Sequence, residues 1–91
     1  MSAIDFDDDH TYETWLNAHP LGFVINAARP ARPGYLILHR ASCHTIAGMP
    51  SNGKSWTADM TKVGCDTKVD AIQWCQSRFN TAPSACRTCS P

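Results

Sequence analysis

His39 and Cys43 stand four positions apart at the end of an apolar run, Tyr35-Leu36-Ile37-Leu38, and a Cys86-Arg87-Thr88-Cys89 pair follows near the end of the chain. Two pairs of nitrogen and sulfur donors from distant parts of one chain are what a tetrahedral zinc site uses. No other feature restricts the fold as much. A chain of 91 residues buries a modest core and often needs a metal or disulfides as a supplement. One ion shared by both pairs would clasp the end of a strand to the tail.

Cysteine usage supports metal over disulfides. The chain has five Cys, an odd number that suits a disulfide framework poorly. The first residues, Met1 to Asp9, are acidic, with no basic segment leading into an apolar one. That is not the pattern of a signal peptide. No apolar run is long enough to cross a membrane. The expected compartment is therefore the cytoplasm, where thiols stay reduced and spaced Cys more often bind metal.

The donors then sort by position. A Cys-x-x-Cys turn lets two thiolates share one ion while neighbouring backbone amides stabilise their charge. The spacing of His39 and Cys43 converges if the chain turns helically just after the strand. The ligand set is thus His39, Cys43, Cys86 and Cys89, with Cys65 and His44 as competitors for the fourth place. Cys75 falls on the apolar face of a helix and reads as a core thiol. His10 and His19 read as surface or helix-packing residues. One histidine and three thiolates on a divalent ion leave about one negative charge, which Arg40 and Arg87 are placed to offset.

In chain order, Tyr12, Trp15, Leu16 and His19 recur at helical spacing, with Asp7 to Asp9 near the start, where a helix dipole favours acids. The aspartates read as a cap and solubilising leader over residues 1–10. Gly22 to Ala27 and Tyr35 to His39 read as strands that pair antiparallel across the Pro- and Gly-rich loop from Ala28 to Gly34. Gly48 to Ser55 reads as a polar loop, Trp56 to Asp59 is ambiguous, and Met60 to Cys65 reads as a third strand. Thr67-Lys68-Val69-Asp70 resembles a capping box, and Val69, Ile72, Cys75, Gln76 and Phe79 mark one face of a second helix, widened by Ala71 and Trp74. The expected architecture is a single α+β domain over 1–91. It has an antiparallel sheet of about three strands flanked by two helices, stapled by one structural zinc.

From residue 35 onward the chain resembles the zinc-binding domain of the Ada DNA-repair protein and its relatives. The resemblance rests on Leu38-His39-Arg40-Ala41-Ser42-Cys43, the strand around Lys62-Val63, the helix from Val69 to Phe79, and Cys86-Arg87-Thr88-Cys89-Ser90-Pro91. It implies a structural zinc, favours His39 over Cys65 as a ligand, and suggests affinity for a nucleic-acid backbone. The chain departs from that pattern in two places. In Ada the first ligand is a thiolate that accepts a methyl group from a DNA phosphotriester; His39 stands there, and an imidazole lacks that nucleophilicity. The segment between the ligand pairs is also longer, with the Gly48 to Ser55 loop as the insertion.

Charge fits a polyanion partner. Residues 1–13 hold five acids and no Lys or Arg, whereas residues 14–91 hold all eight Lys and Arg against three acids. Arg29, Arg32, Arg40, Lys54, Lys62 and Arg87 are candidate phosphate contacts, and Trp56 is a candidate stacking residue. The expected function is a non-catalytic zinc module that binds DNA or RNA; the alternative is an accessory module that docks a protein. No catalytic residues are expected. Four protein ligands leave zinc no open position, and Ser42, Cys43 and His44 lack a clear third catalytic partner.

Overall fold

The described residues, 3–48 and 55–91 of a computed structural model, form eight elements in sequence. These are β1 (Ala3–Asp5), α1 (Asp9–Ala18), β2 (Phe23–Ala27), β3 (Leu36–Arg40), α2 (Trp56–Asp59), β4 (Thr61–Cys65), α3 (Lys68–Phe79) and β5 (Ser84–Ala85). The strands make one sheet in the order β1-β4-β2-β3-β5. All neighbours are antiparallel except β3 and β5, which run parallel.

Period-two alternation assigns the two faces of the sheet. Ile25, Ala27, Leu36, Leu38, Val63 and Cys65 point to one side and pack with Ala71, Trp74 and Cys75 of α3. The alternate residue Val24 points to the other side, where Tyr12, Trp15 and Leu16 of α1 pack with Phe6, Ala41, Cys43 and Ile46. Burying each large apolar side chain contributes about 1.5–3 kcal/mol, so both layers matter to a domain of this size. Gly64 lets α1 approach. A Cβ there would lie 2.8 Å from Phe6 Cε2 and 2.9 Å from Trp15 Cε2.

The helix starts follow from local chemistry. Asp8 caps α1 by accepting the Thr11 amide at 2.8 Å, and Thr67 caps α3 by accepting the Asp70 amide at 3.1 Å. Asn80 ends α3 in the left-handed region at φ 55°, its N–H donating to the Gln76 carbonyl.

The fold is α+β as expected, with five strands where about three were expected and a third short helix over the ambiguous Trp56 to Asp59. Part of the acidic leader is ordered: Ile4 pairs with Gly64 and Asp5 with Val63, making β1 an edge strand. β5 is only two residues long and is recruited by β3. The buried face of α3 is centred on Ala71, Trp74 and Cys75, whereas Val69, expected on it, is 61% exposed. The capping turn points Val69 outward and rotates the apolar stripe toward the residues that had only widened it.

Candidate metal centre

Strand β3 carries His39 on the α1 side of the sheet, opposite Val24. Immediately after the strand the chain turns: the Cys43 amide donates to the Arg40 carbonyl at 3.0 Å, and the Ile46 amide to the Cys43 carbonyl at 3.2 Å. That turn brings Cys43 back toward His39. The Tyr12 hydroxyl, fully buried, donates to the Ile46 carbonyl and fixes the far side of the loop to α1.

The tail arrives by a different route. The Cys86 amide donates to the Leu38 carbonyl at 2.9 Å, continuing the β5 pairing, and the Ser90 amide closes a turn on the Cys86 carbonyl at 3.0 Å. Arg40 then holds this turn from the strand side. Its amide faces Cys89 Sγ at 3.3 Å, its Nε donates to the Cys89 carbonyl at 3.0 Å, and its Nη2 to the Ser90 carbonyl at 3.1 Å.

These contacts bring His39, Cys43, Cys86 and Cys89 together, with one donor atom from each within 4.8 Å of the others. Zinc–sulfur bonds of about 2.3 Å imply donor separations of about 3.8 Å in a tetrahedron, so small adjustments suffice to close on an ion. The histidine itself carries the best evidence of fit. His39 is buried, and its Nε2 is a buried polar atom with no hydrogen-bond partner. Its Nδ1 faces Thr45 Oγ1 at 3.4 Å, and that hydroxyl also lies 3.0 Å from Cys43 Sγ. One ring nitrogen is thus oriented by a neighbour while the other is left for a ligand, the arrangement found behind metal-bound histidines.

The protonation states agree. Burial, helped by the nearby Lys62 ammonium, pushes the His39 imidazole down to about 4, so the neutral, ligating form prevails at neutral pH. Burial raises the Cys86 thiol, but the backbone amides of Cys89 and Thr88, with the Cys89 and Cys43 side chains, outweigh it and bring the group down to about 7. Burial pushes Cys89 up to about 11 in the absence of an ion. A divalent cation would reverse that by stabilising the thiolate directly.

Neither competitor joins the cluster: His44, next to Cys43, is exposed and outside it. Cys65 is fully buried at the end of β4 against α3, and burial pushes its thiol up to about 12. Cys75 is its neighbour in that layer, held up to about 11 by burial. His19 stacks on Trp15 at 4.6 Å, its Nδ1 lying 2.9 Å from the Trp15 carbonyl.

The basic residues do not share one fate. Arg29, Arg32 and Arg87 are exposed, while Lys54 lies outside the described residues. Arg40 is committed to the tail carbonyls. Lys62 corrects the sequence reading. It is 2% exposed, with its ammonium donating to Asn26 Oδ1 at 2.6 Å and to the Trp56 carbonyl at 3.2 Å. Its cross-strand partner Asn26 makes that burial tolerable, and the ammonium sits 5.7 Å from the centre of the Trp56 ring. Trp56 is half-buried and donates its Nε1 to the Gly48 carbonyl at 3.1 Å.

Sequence reasoning missed two supports of the centre, Thr45 and Tyr12. Each acts on an atom far along the chain or across a turn, and neither has a distinguishing sequence motif. It also missed Asp9, which accepts from Ser55 Oγ, Thr57 Oγ1 and the Trp56 and Thr57 amides at 2.7–2.9 Å and so anchors α2 to α1. Among the described residues no helix is long and apolar enough to cross a membrane. No protein-family model, curated protein or solved structure matches the chain.

Proposed function

We infer that the chain is a small non-catalytic module, Ada-like in its ligand pattern, whose tail is stapled to its sheet by one structural zinc ion. The observation that carries this reading is the convergence of His39 and three thiols, with the His39 Nε2 buried and unpartnered. Softness of the donors favours zinc over magnesium or calcium, which prefer oxygen. Four protein donors fill a tetrahedron and leave no position for a reacting water, so the ion's role is structural.

The module's proposed partner is nucleic acid, held by the exposed Arg29, Arg32 and Arg87 in a reducing, cytoplasmic setting. Phosphate contacts of this kind release counterions, so binding would weaken steeply as salt rises. A second reading is favoured by the engagement of Arg40 and Lys62 within the protein and by the 89% exposure of Leu21. On that reading the module docks a protein partner, with the same zinc and no nucleic-acid binding.

Metal analysis of the purified protein tests the core of the proposal. One equivalent of zinc per chain is expected, lost in His39→Ala and kept in Cys65→Ala. Zinc kept in His39→Ala and lost in Cys65→Ala would overturn the ligand assignment. Titration with DNA and RNA oligonucleotides at low salt separates the two readings: no binding there removes the nucleic-acid one.

A further inference from the structure

The three thiols of the centre differ in access, and that difference has a chemical consequence. Cys43 is 3% exposed and its Sγ faces the Thr45 hydroxyl, whereas Cys86 and Cys89 are both half-buried near the chain end. Cys86 and Cys89 also share a single turn, closed by the Ser90 amide on the Cys86 carbonyl. Their sulfurs already lie within 4.8 Å of each other. Joining them moves neither β3 nor the Cys43 loop. Joining either to Cys43 pulls on a loop anchored by Tyr12.

The geometry points to Cys86 and Cys89 as an oxidisable pair through which a peroxide-class oxidant ejects the ion. This rests on the proposed zinc reading and adds a means of control to it. In the first step the sulfur of one member of the pair attacks a peroxide oxygen. The O–O bond breaks, hydroxide leaves, and a sulfenic acid forms on that cysteine. The second thiolate then attacks the sulfenic sulfur, the S–S bond forms, and a second hydroxide leaves. Two electrons pass from the two sulfurs to one peroxide.

The disulfide removes two of four donors. His39 and Cys43 alone do not complete a tetrahedron, so the ion departs. The Arg40 amide, which faces Cys89 Sγ at 3.3 Å, then meets a disulfide sulfur, a weaker acceptor. The tail remains tied to the sheet by backbone bonds from Cys86 to Leu38 and from the Arg40 side chain to Cys89 and Ser90. The oxidised chain is therefore poised to be reduced and reloaded. Cys65 and Cys75, sealed between the sheet and α3, stay reduced throughout.

The test uses the full-length protein as purified, its metal content measured before any oxidant is added. A metal-free preparation at that stage overturns the zinc reading itself, and this inference with it. For loaded protein, hydrogen peroxide is titrated in while a chromogenic chelator reports free zinc and mass spectrometry reports the chain. The expected result is release of one zinc for each chain that loses two hydrogens. Peptide mapping should place the new bond between Cys86 and Cys89, and dithiothreitol with added zinc should restore the starting state. Loaded protein that keeps its zinc in excess peroxide, releases it with only oxygen added to the chain, or forms its disulfide through Cys43, Cys65 or Cys75 overturns this inference and leaves the structural zinc standing.

Discussion

The five cysteines divide into two groups on opposite faces of one sheet. Cys65 and Cys75 lie between the sheet and α3, covered by Trp74, Val63 and Ile25. Burial raises both thiols, so they behave as small apolar side chains. Cys43, Cys86 and Cys89 lie on the α1 side beside a neutral histidine, backbone amides and the Arg40 side chain. The same residue type is a packing atom in one environment and a candidate ligand in the other. Surroundings decide which, through desolvation on one side and directed donors on the other.

The sharpest way to break this comparison is to remove members of one group and leave the other intact. Cys86→Ser with Cys89→Ser should abolish metal binding and cost more than about 5 kcal/mol, the whole margin of a small domain. Denaturant unfolding and metal content check it, and a folded, metal-free double variant of unchanged stability would dissolve the distinction.

Acid should produce the next largest effect, through His39. Its folded value of about 4 lies below the usual imidazole value of 6.5. Between those two values the unfolded chain takes up a proton that the native chain refuses. Stability is therefore fully present above pH 6.5 and declines as pH falls toward 4, by up to about 3 kcal/mol. Protons also compete with the ion over that range. Unfolding of the protein as purified, without chelator, from pH 7 to pH 4 should show stability falling over this window, and a flat profile would remove His39 from this role.

Cys75→Ala should cost about 1–2 kcal/mol for the lost sulfur and the small cavity, with metal content unchanged. In the native wild-type protein a thiol-alkylating reagent should leave Cys65 and Cys75 unlabelled until the chain unfolds. Loss of zinc in Cys75→Ala would place this thiol in the wrong group. The smallest effect is expected from Arg40→Ala. It removes two exposed side-chain bonds to tail carbonyls, worth about 1 kcal/mol together, and should weaken zinc binding by several-fold while keeping its stoichiometry.

The candidate site was more legible in the sequence than its supports were. His39, Cys43, Cys86 and Cys89 could be read because soft donors are rare and each pair sits within one turn. The longer strands and both longer helices could be read from period and caps. β1 and β5 could not, because strands of three and two residues carry no period and exist only where β4 and β3 offer a free edge. Lys62 read as a surface charge because nothing local announces Asn26 as its cross-strand partner. Asp9 read as part of a solubilising run, yet its carboxylate receives the start of α2 from across the chain.

The sequence by itself determined which atoms can bind a soft cation and which stretches are helical or extended, since ligand chemistry, capping and apolar spacing are local properties. Only the tertiary structure decided that Cys65 faces away from the donors, that Lys62 is buried, and that the leader closes one edge of the sheet. Those outcomes depend on the registers β1–β4 and β2–β4. A shift of one residue in a strand exchanges its two faces, and no single strand fixes the register of its partner.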